Sequence, residues 1–371
     1  MNFSYWDNKS WLNNIDFIII GSGIVGLSCA IELKNNHPKA KVLVLEKGLM
    51  PYGASTRNAG FACFGSMTEI LNDLNNHSEK EVFNLISQRV SGLKKLRNLI
   101  GDKKIDYKEL GGNEIFLHAD RDVFESSAME IEKINSLIAP LFDNKVFSIK
   151  DNNFGFNNAH KKIIYNNYEG QIDTAKMMSN LLFKARQMGV KILNNINVKD
   201  FQDDNSKIHI RTNFFEINCN KLFIATNGFS NSLLNEDISP ARAQVLITKP
   251  IENLRIKGTF HLDQGYYYFR NIDKRILLGG GRNLDFNAEN TTKFKISDKI
   301  QNKLEDLLFN VILPSYNSVE IEHRWTGIMG ISKKKTTITK QVSENVYCGI
   351  RLGGMGIAVG TQVGSNLAKL I

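Results

Sequence analysis

Several features that would direct a reading elsewhere are scarce in this 371-residue chain. Its four cysteines, Cys29, Cys63, Cys219 and Cys348, form no close pair, which argues against a disulfide framework or a Cys-x-x-Cys centre and suits a reducing compartment. The seven histidines, His37, His77, His118, His160, His209, His261 and His323, stand at no ligand spacing with one another or with a cysteine. No metal site is expected. Proline is rare, at six, and no repeat or Pro-, Gly- or Ser-rich linker interrupts the chain, so collagen-like, disordered and repeat architectures are poor fits. The apolar stretch at 17–30 is too short to cross a bilayer, is broken by Gly21, Gly23 and Gly26, and follows Asp16 rather than basic residues. It reads as neither anchor nor secretory signal, and a cytoplasmic location is expected.

Charge of one sign is also in modest supply. Lys and Arg number 47 against 38 Asp and Glu, a net +9 whose only dense run is Lys333, Lys334 and Lys335, with Lys340 nearby. A nucleic-acid footprint concentrates such charge into a stripe, so the surplus reads as solvated surface and no nucleic-acid partner is expected. What remains is an ordinary globular mixture, 42% hydrophobic and 23% charged. The length is about 2.5 times a domain of about 150 residues, which allows one large or two interwoven domains.

The first local signal is Asp16-Phe17-Ile18-Ile19-Ile20, an apolar β-branched run of the kind buried on both faces of a parallel sheet. Gly21-Ser22-Gly23-Ile24-Val25-Gly26 follows, then helix-forming residues to Lys34 and a second strand at 41–46. Helical spacing dominates 66–150, apart from a short strand candidate at 114–118. A helix at 174–188 feeds strands at 190–193, 197–201, 208–212 and 221–226. The segment 240–322 reads as strand-rich, and 346–371 as a strand, a glycine turn and a helix.

Gly21-x-Gly23-x-x-Gly26 gains meaning from its context, because it closes a buried strand, opens a helix and has Glu46 twenty residues beyond Gly26. Gly21 permits the tight turn, Gly23 lets backbone approach a pyrophosphate, and Gly26 lets helix and strand pack closely. The helix N-terminus presents N–H groups to the anion, and Glu46 can accept from a ribose diol. A phosphorylated ribose would be repelled, which disfavours NADP; NAD and FAD share the fingerprint.

In Gly53-Ala54-Ser55-Thr56-Arg57-Asn58-Ala59-Gly60, small residues flank an arginine and an asparagine, a composition suited to a loop lying against a planar, partly anionic cofactor. Together with the β-α-β unit, this loop resembles the D-amino-acid-oxidase-like superfamily of FAD-dependent oxidoreductases, which includes glycine oxidase, sarcosine oxidase and gamma-glutamylputrescine oxidase-like enzymes. Collinear matches extend the resemblance: Gly170-Gln171-Ile172-Asp173, Ala225-Thr226-Asn227-Gly228, the stretch from Pro240 to Pro250, Tyr266-Tyr267-Tyr268-Phe269-Arg270 and Gly279-Gly280-Gly281-Arg282. The Ser4-Tyr5-Trp6 arm and His323-Arg324-Trp325-Thr326-Gly327 are similar to the gamma-glutamylputrescine branch.

The resemblance implies an α/β fold, with a Rossmann-like FAD-binding domain of the glutathione-reductase type and an interleaved, mixed-sheet α+β substrate domain. It assigns 1–66, 151–238 and 323–371 to the first and 67–150 and 239–322 to the second. It implies non-covalent FAD held by Gly21, Gly23, Ile24, Val25, Gly26, Glu46, Lys47, Ala54, Ser55, Arg57, Asn58, Ala59, Gly60, Val198, Ala225, Thr226, Gly228, Gly353, Gly354, Met355, Gly356 and Ile357. The implied reaction takes a hydride from a carbon bearing an amine, delivers it to flavin N5 and leaves an imine for water to hydrolyse. The partner is then a small-molecule amine or amino-acid-derived substrate.

Tyr268, Arg270, Arg324 and Trp325 are the candidate substrate contacts. Strand alternation sets Tyr266, Tyr268 and Arg270 on one face and Tyr267 and Phe269 on the other. The tyrosines either face a substrate or pack between sheet and helices; Arg324 and Trp325 either wall a pocket or form a strand-end ion pair beside a core tryptophan. The sequence also departs from the family pattern. Met355 stands where many relatives carry His, and Met329 where glycine oxidase-like members carry a carboxylate-binding Arg. An amine or a larger N-substituted substrate is therefore expected over a simple α-amino acid. Lys333-Lys334-Lys335-Thr336-Thr337 replaces the usual Asp-Gly-x-Pro-like turn, and Cys348 lies one strand too far for covalent flavin attachment. Two other functions use the same fold: oxidation of a carboxymethylaminomethyl group on tRNA, and FAD binding without turnover.

Overall fold

The computed structural model describes residues 2–316 and 318–371. The isoleucine-rich run forms the strand Ile15–Ile20, which pairs in parallel with Val42–Leu45 on one side and Glu216–Ile224 on the other. Lys191–Leu193 and Val346–Ile350 extend the parallel array at its two ends. Ile338–Ser343 adds an antiparallel edge, and Val198–Asp203 and Ile208–Thr212 turn back from Glu216–Ile224. Strands so continuously apolar need cover on both faces. One face buries Phe17, Ile19, Val42, Val44 and Phe223 under the helices Ile24–Asn36, Thr174–Gln187 and Gly356–Ala368. The other buries Ile18, Ile20, Leu43, Leu222 and Cys348 against Ile208, Ile210 and Ile217.

A second eight-stranded sheet runs in the order Ile321–Ile331, Ser239–Thr248, Arg275–Gly280, Tyr267–Ile272, Thr259–Leu262, Gly112–Glu114, Lys162–Asn166 and Phe147–Asp151. Every pairing is antiparallel except that of Thr259–Leu262 with Gly112–Glu114. Period-two alternation sorts its residues into layers. Leu246, Tyr267, Phe269 and Leu278 pack with Ile300, Leu304 and Leu308. Val245, Tyr268 and Leu277 face the opposite way, toward Ala59 and Phe61. The α/β fold with two sheets agrees with the sequence reading, and the tyrosines alternate as expected.

Two strands and one helix pack across the expected domain boundaries. Lys162–Asn166 and all of Ile321–Ile331 pair into the second sheet. The helix Glu79–Ile100, capped by reciprocal Ser78 and Glu81 hydrogen bonds, buries Leu96 and Ile100 in the helical layer of the first sheet. A helix, Asp298–Asp306, continued by a π-turn at Leu307–Ile312, also interrupts the stretch read as strand-rich. Its Ile300, Leu304 and Leu308 recur at helical spacing, a signal overlooked beside the neighbouring strands. The N-terminal arm is tethered less than its aromatics suggest: Phe3 meets Phe215 edge-on at 5.3 Å, while Tyr5 and Trp6 remain exposed.

Buried charge also ties elements of the second sheet together. His261 Nε2 lies 2.6 Å from Glu169 Oε1, with both side chains buried. Burial opposes the imidazolium, but the Glu169 carboxylate, helped by Glu69 and Glu114, outweighs it and lifts the His261 pKa to about 9. A histidine raised above its unfolded value contributes stability that is complete below about 6.5 and is lost as pH climbs through about 9. The melting temperature of the FAD-loaded protein should therefore fall between those two values, and His261→Gln should flatten that slope in pH-resolved thermal unfolding. Glu169→Gln, which strands a buried cation, should cost on the order of 3 kcal/mol.

Candidate active site

The ends of the parallel strands and the Val245–Tyr268 face of the second sheet enclose a cavity of about 1190 Å³. Ligands in open α/β folds bind at this carboxyl edge, and pockets for small molecules run to about 1,000 Å³, so the space suits a ligand larger than one metabolite. Gly21, Gly23 and Ile24 line one end with Glu46, Ala225 and Thr226. A Cβ on Gly26 would fall 1.9 Å from the Gly21 carbonyl oxygen, so only glycine lets the helix start against the strand end. One on Gly23 would fall 2.8 Å from Ser55 Oγ, which itself accepts from the Ile24 N–H at 3.0 Å. The Glu46 carboxylate is buried; Oε2 accepts from Ser22 N and Oγ at 3.0 and 2.7 Å, and Oε1 accepts from Gly48 N at 2.9 Å. Oε1 retains a lone pair for a further donor.

Loop 53–60 forms the wall shared by both sheets. Asn58 Oδ1 accepts from Gly60 N at 2.9 Å and from Thr174 Oγ1 at 2.8 Å, fixing the loop to the Thr174–Gln187 helix. The Arg57 guanidinium stacks on Tyr52 and Phe294, 4.1 and 4.7 Å from their ring centroids, and donates to the Thr326 carbonyl at 2.9 Å. From the second sheet, Trp325 Nε1 donates to Arg57 O at 2.9 Å and Arg270 Nε donates to Ala59 O.

The far end is walled by Tyr266, Tyr268, Met329, the Gly353–Gly356 turn and the helices Met67–Leu74 and Glu79–Ile100. Burial pushes the Tyr268 phenol up to about 12, so it stays protonated at neutral pH.

A family model for FAD-dependent oxidoreductases, DAO, matches residues 16–370. The chain belongs to the DAO family of FAD-dependent oxidoreductases. Over 395 aligned residues it is 21% identical to the probable oxidoreductase OrdL of Haemophilus influenzae, covering 97% of this chain and 83% of OrdL. Its fold is similar to that of L-proline dehydrogenase from P. horikoshii, with a TM-score of 0.75 at 19% identity over 96% of this chain and 93% of that one. It is also similar to glycine oxidase from Bacillus cereus, with a TM-score of 0.76 at 17% identity over 96% and 97% of the two chains.

FAD is thus the cofactor, and the residues present fit it. The glycine turn leaves a cradle that a Cβ would fill, the Ile24–Asn36 helix points its N-terminus at the cavity, and Glu46 is ready for a ribose hydroxyl. Of the residues expected to hold the cofactor, Gly26 and Gly228 do not line the cavity. Both are packing glycines, the second with its Cβ position 2.4 Å from Met329 O. Lys47, Val25, Val198, Gly353, Gly354, Met355, Gly356 and Ile357 do line it, as do Ala54, Ser55, Arg57, Asn58, Ala59 and Gly60.

The expected substrate contacts divide. Tyr268 lines the cavity. Arg270 lies on the same face, but its buried guanidinium reaches past the cavity to the loop carbonyl, and burial lowers its pKa to about 10. Trp325 likewise holds the loop from behind. Arg324 turns to the opposite face, 2.8 Å from Glu305 and 2.7 Å from Gln301, because adjacent strand residues point apart. None of these three, expected as substrate contacts, lines the cavity. Sequence reasoning missed Cys63, Glu69, Gln88, Arg89 and His261 on the wall. Cys63 is buried, which pushes its thiol well up, so it is no thiolate nucleophile. Cys348 is buried in the first sheet away from the cavity.

Acid denaturation should release all the flavin into solution, as read by absorbance of the supernatant. Glu46→Gln should raise the FAD dissociation constant about tenfold or more, since a charge-assisted hydrogen bond contributes about 1.5–3 kcal/mol. Gly26→Ala should be purified without stoichiometric flavin.

Proposed function

We propose that the protein oxidises a C–N bond of an amine or N-substituted amino acid. The observation that carries this reading is continuity: the dinucleotide end and the Tyr268 wall belong to one cavity, so a substrate against that wall shares one continuous space with the cofactor. When bound, FAD would supply a two-electron oxidant for the carbon bearing the nitrogen, and the imine left there would be hydrolysed by water. The chain's own part is to hold the amine in place and limit water. Tyr268, protonated at neutral pH, can donate to a substrate acceptor or orient the amine, while Met329 and Met355 supply apolar wall. The names of similar structures support this class, since they include a proline dehydrogenase, glycine oxidases and an iminodiacetate oxidase.

A tRNA-directed reading draws little from the basic run, because Lys335 pairs with Asp73 and Lys340 with Glu236 at 2.7 Å. Anaerobic mixing with a panel of primary, secondary and N-methyl amines should bleach the flavin with at least one member, and readmitted oxygen distinguishes oxidase from dehydrogenase. Tyr268→Phe should keep its flavin and slow that bleaching about tenfold, the weight of one hydrogen bond. Flavin that no amine reduces would favour binding without turnover.

A further inference from the structure

The charges on the cavity wall do not balance. Seven Lys and Arg side chains line it against two carboxylates, Glu46 and Glu69. The pyrophosphate of FAD offsets only part of that excess. Several of the cations are already engaged: Arg351 with Asp237, Lys335 with Asp73, and Arg57 between Tyr52 and Phe294.

Arg89 differs from all of them. It is only 5% exposed, yet it has no carboxylate within 4.0 Å among the described residues. Nη1 donates to the Phe64 carbonyl at 2.8 Å, and Nε has no partner at all. A buried, unpaired guanidinium is costly unless a ligand brings the counter-charge. The sequence around it shows the same anomaly. Val82, Leu85, Ile86 and Arg89 recur at helical spacing on the buried face of Glu79–Ile100, so the arginine occupies a position that periodicity reserves for an apolar side chain.

Its placement suits a substrate group. One turn further along, a Cβ on Gly92 would fall 2.1 Å from Ala358 O, so the two helices touch there. That contact holds Arg89 close to the first turn of Gly356–Ala368, which follows the Gly353–Gly356 segment of the wall. Gln88 and Asn72 supply neutral hydrogen-bonding groups to the same space, and Met329 offers no charge from the strand side.

We propose that Arg89 is the anion anchor of this site and binds a carboxylate of the substrate, from a helix rather than from the Ile321–Ile331 strand. Identifying the ligand as substrate rests on the amine-oxidoreductase reading; the anion site itself does not. The substrate class narrows to amines that carry a carboxylate. A fork of N–H donors matches a carboxylate in two directions, which also orients the bound amine.

The test is a titration of the FAD-loaded protein with acetate and with acetamide, followed by the change in flavin absorbance. The wild type should bind acetate about tenfold or more tighter than acetamide, as expected for hydrogen bonds to a charged group. Arg89→Met should bind the two alike while keeping its flavin, and Arg89→Lys should retain part of the preference. Equal binding of acetate and acetamide by the wild type would overturn the proposal, as would a preference that survives in Arg89→Met. If Arg89→Met does not retain FAD, Arg89→Lys decides: a reduced preference supports the anchor and an unchanged one overturns it. A parallel anaerobic arm compares N-methyl amino acids with their methyl esters. Acids and esters that bleach the flavin equally would sink the anchor and leave the amine-oxidoreductase reading intact. An acetate preference that depends on Arg89, in a protein whose flavin no amine bleaches, would do the reverse.

Discussion

Loop 53–60 contributes little apolar surface of its own, so hydrogen bonds from both sheets must hold it in place. Ser55 takes the Ile24 N–H of the first sheet's leading helix, and Asn58 takes the Thr174 hydroxyl of another. Arg270 and Trp325 come from the second sheet and donate to its carbonyls, while Arg57 returns a bond to Thr326. Buried carbonyls need such donors, and here the donors belong to different sheets. The distance between the glycine turn and the Tyr268 wall, and hence the cavity, depends on this clamp. A side chain whose hydrogen bonds are spent on the loop shapes the site without touching the ligand.

That distinction explains how much could be read from sequence. The glycine fingerprint and Glu46 were legible because their chemistry is local: a strand, a turn and a helix start fix one another within thirty-odd residues. The face carrying Tyr268 was legible too, since strand alternation is a backbone property. Arg324 and Trp325 part for the same reason. Neighbours on one strand cannot both face the cavity, and Arg324 meets Glu305 on the Asp298–Asp306 helix while Trp325 meets the loop. Arg270 has the right face but the wrong reach.

Other wall residues depend on tertiary placement. Glu69 and Arg89 come from two helices whose docking no local pattern specifies, and His261 enters through a short strand with few neighbours to mark it. Arg89 alone left a trace, a charge in the middle of an apolar helical face. Met329 and Met355 were read as departures from the family pattern, and both line the cavity. Their neutrality makes the unpaired cation at the same end of the cavity more consequential for what the site can hold.

One cavity, walled by loop 53–60, is proposed to house both FAD and the reacting molecule. A crystal structure of the FAD-loaded protein tests it most directly. The pyrophosphate should lie at the N-terminus of the Ile24–Asn36 helix, with the flavin ring between the Tyr268 face and the Gly353–Gly356 turn. A flavin bound outside this space, or a pyrophosphate remote from Gly21 and Gly23, would contradict it.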